Sequence, residues 1–419
     1  MSRDYDLVIV GAGITGLGLF ERAAEAGLSC LLLERGSVGG ATTAVTSGLF
    51  HGGLRYLPYD AATSWRMCRE IQRLRAESPE LMSPQRFLWP VYREDRWGPV
   101  AVGAVLDYYD LFAELRGAPR HERLTAEGAL RLLPGLRREG LLGAFVFEEW
   151  KADVPGLVRR LARRGASAGG TILEGAKAVA FERSGSVVAG VQTLDAEGRR
   201  ELHRGRVLVN AAGPWADEVA RLAGARAPLR LRAGAHLVLA GEPPPLGLIF
   251  QGPGGRIIGL YPREQEAWVG PTDSEFRGGP DEACAEPGEG RALRESVARL
   301  LSGSEWRPGR LAVGLRPIFR QAGAGPLLSR DHRVIDHAAE GLENLVTVVG
   351  GKLTTYRPMA EEALELVARK LGRPGLEARR RRETTRLGRL LASRRRPASL
   401  ALSLGLLGYF LLRRAARSA

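Results

Sequence analysis

The chain has 419 residues, 44% of them apolar and 26% charged, an ordinary globular composition too long for one hydrophobic core. Its net charge of +14 is uneven: residues 373–419 hold thirteen arginines against Glu377 and Glu383, so eleven of those charges lie there and the body is nearly neutral. That balance argues against a nucleic-acid surface on the body. Three cysteines (Cys30, Cys68, Cys284) without ligand or bridge spacing argue against a metal knuckle or a disulfide scaffold.

In chain order, Leu7–Val10 reads as a buried strand, Gly11-Ala-Gly-Ile-Thr-Gly16 as a turn opening a helix to about Ala26, and Leu28–Leu33 as a second strand ending at Glu34. Gly11 permits the tight turn, Gly13 lets a pyrophosphate approach bare backbone, and Gly16 allows helix and sheet to pack closely. The N–H groups of Ile14 and Thr15 lie at the helix N-terminus, where the dipole favours anions. Glu34, 18 residues past Gly16, is placed to accept ribose hydroxyls, with Arg35 beside it. Strand, helix, strand and acid in register indicate a dinucleotide site. Asp4 and Asp6 flank the first apolar run where an export signal would carry basic residues, so no export signal is read.

Gly39–Leu57 follows, rich in glycine and hydroxyl residues yet carrying Leu49, Phe50, Leu54, Tyr56 and Leu57. It suits a loop wrapped around a flat ring system, with Thr42, Thr43, Ser47, Gly48, Leu49 and His51 as candidate contacts. Helical spacing appears at 61–77 and 125–133, with Pro79, Pro84 and Pro90 breaking the chain between them. A basic amphipathic helix at 154–164 precedes strands at Thr171–Glu174, Ala176–Glu182 and Val187–Leu194. Ala178 on one of these, and Ala212 and Gly213 in the strand-to-helix turn after Val207-Leu-Val-Asn, are further cofactor candidates. Residues 229–320 carry alternating strands (His236–Leu239, Arg256–Tyr261, Ala267–Val269), suggesting an antiparallel sheet. A last strand, Leu345–Val349, runs into Gly350-Gly-Lys-Leu-Thr-Thr-Tyr-Arg357 and a helix from about Pro358 to Leu371. No internal repeat is seen.

The expected class is α/β, with a Rossmann-like cofactor domain built from discontinuous segments (1–60, 150–225, 325–372). A cap segment (61–149) and an antiparallel substrate sheet (226–324) are interleaved with it, and a basic, apolar tail (373–419) follows. The glycine motif occurs once, because Gly252-Pro-Gly-Gly255 opens no helix. A single dinucleotide site without a nicotinamide site favours FAD over NAD.

Ala41-Thr-Thr, His51-Gly-Gly-Leu-Arg-Tyr-Leu57, Asn210-Ala-Ala-Gly-Pro-Trp215, Gly314-Leu-Arg-Pro317, Ser329-Arg-Asp331 and the Gly350–Arg357 run occur in order across about residues 5–371. In these motifs the chain resembles the FAD-dependent glycerol-3-phosphate dehydrogenases, within the amino-acid-oxidase-like flavoprotein fold. The resemblance implies oxidation of sn-glycerol 3-phosphate to dihydroxyacetone phosphate, with electrons passing to a membrane quinone. A small phosphorylated polyol needs cationic forks, and Arg55, Arg316 and Arg330 are the candidates, with Tyr56 adding a hydroxyl. Lys352 is one of only four lysines and is placed near the flavin or a substrate oxygen. Gly350, Gly351, Leu353 and Thr354 then supply backbone contacts to the ring. His236 matches the family's substrate-domain histidine and is the first candidate base; His51 is the second. The expected catalytic set is thus His236, Arg316 and Lys352, without a metal. Gly48 stands where aerobic members often carry lysine, and the residues after 372 match neither the cysteine-bearing C-terminal region of the anaerobic type nor the helical C-terminal domain of the aerobic one.

In the tail, Ala398–Leu412 is uncharged and flanked by arginines. As a helix it measures roughly 22 Å, short against a hydrocarbon core of about 30 Å. Flanking arginines favour anionic lipid, so association with the cytoplasmic face of the membrane is expected, peripherally or by a short C-terminal anchor. No aromatic residue interleaves Arg379–Arg382, and no nucleic-acid partner is expected. A homodimer is open. Two rivals remain: a same-fold flavoprotein acting on an amine or a 2-hydroxy acid, and a non-catalytic nucleotide- or nucleic-acid-binding protein.

Overall fold

The computed structural model describes residues 4–57, 60–252, 255–301, 306–320, 332–374 and 376, with Arg55 and Pro308 described for their backbone alone. Arg330 and the whole tail from 377 lie outside the described residues.

Tyr5–Val10 is the centre of the first sheet, flanked in parallel by Cys30–Leu33 and Arg200–Asn210. Leu345–Val349 extends it beyond Arg200–Asn210 and Thr171–Leu173 beyond Cys30–Leu33, both parallel. Arg333–Asp336 closes one edge antiparallel, and the hairpin Lys177–Ser184/Val187–Leu194 continues from the first half of Arg200–Asn210. These central strands are apolar without alternation because both faces are covered. On one face the helix Ile14–Glu25 packs between Val154–Ser167 and Tyr356–Lys370, burying Leu17, Phe20, Leu157, Leu161, Met359 and Ala363. Small residues set that closeness: a Cβ on Gly165 would stand 2.4 Å from the Phe20 ring.

The second sheet holds ten strands and is mostly antiparallel. Its path runs Ser274–Phe276, Leu229–Ala240, Glu266–Gly270, Ile257–Pro262, Gly247–Gln251, Met82–Tyr92, Leu141–Ala152 and Leu49–Phe50. Arg307–Phe319 also pairs along Leu229–Ala240, and Glu122–Leu124 along Leu141–Ala152.

The prolines between the first two predicted helices do not break the chain into loop. Pro84 and Pro90 lie inside the strand Met82–Tyr92, opposite Trp150 and Ala144 of Leu141–Ala152. On its other side Met82–Tyr92 meets Gly247–Gln251 only at Phe87 and Leu88, so the missing proline N–H groups fall beyond the two-sided stretch. The 61–149 segment therefore builds part of the substrate sheet, and the boundary at 150 cuts through Leu141–Ala152. Among the described residues three helices escaped the pattern, Pro99–Asp110, the single turn Ala113–Arg116 and Glu289–Leu300. Gly252 donates its N–H to the Arg256 carbonyl at 2.7 Å, a hairpin contact consistent with no second nucleotide turn.

Arg357 ends the motif that began at Gly350, yet it turns away from the turn's glycines. It is 4% exposed, with Nη1 2.5 Å from Glu77 and Nε 3.5 Å from the buried Glu70 of helix Ala61–Glu77. Replacing Arg357 by Ala leaves Glu70 buried with Arg73 as its remaining partner at 3.0 Å. The variant should lose about 3 kcal/mol in urea unfolding, at the low end of the range for a broken buried pair.

Candidate active site

A cavity of about 1280 Å³ opens between the two sheets. It exceeds the roughly 300–1,000 Å³ of a drug-sized ligand site and suits a dinucleotide with a second small molecule. Along one end lies the glycine turn. Gly11 has φ +104°, and a Cβ there would stand 2.7 Å from the Ala211 carbonyl oxygen. Gly16 is tighter, 1.9 Å from the Gly11 oxygen, so it serves the packing of helix on turn and does not line the cavity. Gly13, Ile14 and Thr15 do line it, with the Ile14 N–H donating to Thr43 Oγ1 at 3.1 Å.

Glu34 faces the cavity with one lone pair of each oxygen engaged. Oε2 accepts from the Ala12 N–H at 2.8 Å and Oε1 from the Gly36 N–H at 2.9 Å. Each oxygen keeps a second lone pair for a hydroxyl. Arg35 is held by Asp281 at 2.6 Å and stacks 3.9 Å above Trp215, so it forms wall rather than a mobile fork.

The loop after Gly39 runs along the cavity as predicted through Thr42, Thr43, Ser47, Leu49 and His51. Thr42 is fastened across it, Oγ1 donating to the Leu315 carbonyl at 3.0 Å. Gly48 is the exception: its carbonyl accepts from the Ala152 N–H at 2.8 Å and the residue is off the cavity wall. Ala178, Ala212 and Gly213 line the wall, as do Gly350, Gly351, Leu353 and Thr354 at the foot of helix Tyr356–Lys370.

Of the expected substrate residues, Tyr56, His236, Arg316 and Lys352 meet at this cavity. Arg55 belongs to the short 3₁₀ turn Leu54–Tyr56, but its side chain, like all of Arg330, lies outside the described residues. The Lys352 ammonium sits 4.7 Å from the Tyr56 ring centroid, and His51 stacks on the same ring with centroids 6.1 Å apart. Arg316 comes from the strand Arg307–Phe319, directly opposite Arg232. Its guanidinium reaches the carbonyls of Ala233 (3.3 Å) and Thr272 (3.1 Å) and the Asp273 carboxylate (3.3 Å). It occupies the space above Gly234, where a Cβ would lie 2.1 Å from it.

His236 is 4% exposed, and neither ring nitrogen has a hydrogen-bond partner among the described residues. Burial, with Arg316 and then Arg263 adding like charge, pushes its pKa down to about 3. The imidazole is therefore neutral.

Several wall residues were not foreseen: Asp273, Arg256, Tyr261, Glu149, and the aromatic set Phe87, Trp89 and Phe147. Tyr261 was within reach, since a strand at 256–261 puts alternate residues on one face. The others depend on which strands become neighbours.

The comparisons place this geometry. Residues 6–366 match the family model described as FAD dependent oxidoreductase (DAO), so the chain belongs to the FAD-dependent oxidoreductases and FAD is its cofactor. It is 30% identical over 387 residues to the aerobic glycerol-3-phosphate dehydrogenase of Staphylococcus saprophyticus, covering 88% of this chain and 68% of that protein. Within the larger family it is a member of the FAD-dependent glycerol-3-phosphate dehydrogenases.

Among solved structures, the glycerol-3-phosphate dehydrogenase of Bacillus halodurans complexed with FAD superposes with a TM-score of 0.70 at 23% identity, covering 88% of this chain and 65% of that one. The FAD-bound L-alpha-glycerophosphate oxidase of Mycoplasma pneumoniae gives 0.66 at 16% identity, covering 87% and 95%. Both support the α/β fold assigned above. The chain spans about two thirds of the length of the dehydrogenases it matches.

The depressed His236 pKa has a stability consequence. The unfolded chain takes up this proton near ~6.5 and the folded one only near 3, so the stability present above ~6.5 is lost progressively as pH falls towards 3. His236→Asn should flatten the decline in urea-unfolding free energy between pH 6 and 4.

Proposed function

We propose that the protein oxidises the secondary alcohol of sn-glycerol 3-phosphate to dihydroxyacetone phosphate. The observation that carries the reading is the neutral, unpartnered His236 imidazole beside the pinned Arg316 guanidinium, in the cavity that the glycine turn also lines. Bound FAD supplies the hydride acceptor, flavin N5, for the hydrogen on C2.

The protein's part is binding, orientation and proton removal. Arg316 and Lys352 offer fixed positive charge to an anionic substrate, with Arg55 and Arg330 as further phosphate cations, and Tyr56 offers a hydroxyl. His236 takes the carbinol proton. Its basicity is coupled to binding: burial lowers its pKa most, and the Arg316 charge that lowers it further is offset when a phosphate dianion docks, so the imidazole regains part of its affinity for the proton. The low-dielectric setting of the buried ring strengthens that coupling.

A membrane quinone is the proposed electron acceptor, reached from the cytoplasmic face through anionic lipid bound by residues 373–419. Among the described residues no helix is long and apolar enough to cross a membrane; residues from 377 onward lie outside them. Truncation after residue 372 should leave anaerobic flavin reduction intact and release the protein from membrane pellets. Retention in the pellet would overturn the anchor.

Anaerobic stopped flow tests the chemistry. Glycerol 3-phosphate should bleach the flavin band, whereas amino acids and 2-hydroxy acids should not. His236→Asn should slow bleaching at saturating substrate by about 10²–10⁴-fold. Arg316→Lys should act mainly through a higher KM, since Lys cannot reproduce the planar fork. Unchanged bleaching by His236→Asn removes the histidine from the reaction.

A further inference from the structure

At the cavity wall, reached by Glu149, begins a buried polar cluster with no part in the chemistry above. Glu149, on the strand Leu141–Ala152, is 2% exposed and both its carboxylate oxygens are engaged. Oε1 accepts from the Tyr109 hydroxyl at 2.6 Å, and Oε2 accepts from the backbone N–H of Gly52 at 3.1 Å. Tyr109, from helix Pro99–Asp110, lies 3.9 Å beneath the Arg116 guanidinium. Arg116 is itself 1% exposed, with Nη1 donating to the Glu148 carbonyl at 2.8 Å and Nη2 3.7 Å from Asp110.

Gly52 follows His51 in the loop that leads to Tyr56, and it is gripped from several sides. A Cβ there would stand 2.3 Å from the Tyr109 oxygen and 2.7 Å from both Arg116 Cδ and Cys68 Sγ. The next residue, Gly53, is left-handed at φ +88°; its carbonyl accepts from Ser64 Oγ at 2.9 Å and its N–H donates to His51 Nδ1 at 3.1 Å. The short turn Leu54–Tyr56 follows at once, ending at the ring that carries the Lys352 ammonium on one contact and His51 on another.

We propose that Glu149 is a positioning residue: by holding the Gly52 N–H it fixes the His51–Tyr56 turn, and through it the cavity surface that His51 offers to the flavin and Tyr56 offers to Lys352 and substrate. A buried backbone N–H with one available acceptor has no alternative partner, so loss of that oxygen frees the turn rather than rerouting it. Burial, only partly offset by Arg116, Tyr109 and the Gly52 N–H, raises the Glu149 pKa above the usual carboxylate range.

The substrate side of this inference rests on the glycerol-phosphate reading, whereas the flavin side does not. The test compares Glu149→Gln, Glu149→Leu and Tyr109→Phe in the full-length holoenzyme. Gln keeps an acceptor for Gly52 and accommodates Tyr109 by reversing one hydrogen. It should retain the wild-type visible circular dichroism of the flavin and a kcat/KM within about 3-fold.

Leu removes the acceptor. It should perturb the flavin dichroism, weaken FAD binding and lower kcat/KM by about 10–100-fold, as expected for an ångström-scale displacement. Tyr109→Phe removes one of the carboxylate's two ties and should give the same signature at about 3–10-fold, providing the decisive variant if Glu149→Leu does not fold.

A folded Glu149→Leu or Tyr109→Phe holoenzyme with wild-type dichroism, FAD affinity and kcat/KM overturns the proposal, as does Glu149→Gln matching the defect of Glu149→Leu. If glycerol 3-phosphate fails to reduce the wild-type flavin, the functional reading falls, and dichroism and FAD affinity still decide the role of Glu149.

Discussion

Close approach of backbone to backbone is the constraint on which this site depends. Gly11 lies under the Ala211 carbonyl at a distance no side chain fits, and Gly16 lies under Gly11. Because Ala211 follows Arg200–Asn210 and Gly11 follows Tyr5–Val10, those two parallel strands must be in exact neighbour register before the turn can form. The Ala211 N–H donating to the Val10 carbonyl at 2.8 Å makes the same join one residue earlier. The phosphate cradle is therefore tertiary: it exists only when segments some 200 residues apart have met.

Electrostatics in the cavity follow a similar economy. The arginines that face or support it are mostly committed to partners, Arg35 to Asp281, Arg316 to Asp273 and to two carbonyls, Arg357 to Glu70 and Glu77. A guanidinium held in this way keeps its charge while losing its rotamer freedom beforehand, so less entropy is lost when an anion arrives. His236 is the counterpart, a buried imidazole with no hydrogen-bond partner among the described residues inside the same field. Burial first, and the Arg316 charge second, keep that imidazole free of a proton.

Periodicity reached the elements whose patterns are local. Val187–Leu194 and Leu345–Val349 emerged with the bounds read from their β-branched runs, and Ala61–Glu77 with those of its helical spacing. Met82–Tyr92 did not, because two prolines argue against a strand unless its neighbours are known, and those neighbours start at 141 and 247. Glu289–Leu300 was hidden inside a stretch read as alternating strands. In the site, Gly13, Glu34 and Lys352 stood out because special or scarce residues follow strands directly, whereas His236 and Arg316, inside strands, were reached through the family resemblance. Gly16 and Gly48 carry the right signature but act in packing. Asp273 and Glu149 were unreadable: an acid among 47 acquires meaning only from the arginine or amide that the fold delivers to it.

The Gly350–Arg357 run shows how such a motif can be continuous in sequence and divided in purpose. Its first five residues face the cavity, with Gly350 and Gly351 both at φ +78° to bring bare backbone to the wall. Its last, Arg357, faces the opposite way and fixes helix Tyr356–Lys370 to helix Ala61–Glu77. That second helix supplies Ser64 and Cys68, which contact the carbonyls of Gly53 and Gly52. The arginine at the motif's end is thereby linked, through one rigid helix, to the loop carrying His51 and Tyr56. The Gly350–Thr354 turn and the His51–Tyr56 loop are thus both tied to helix Ala61–Glu77, so these two parts of the site and the stability of the fold draw on overlapping residues.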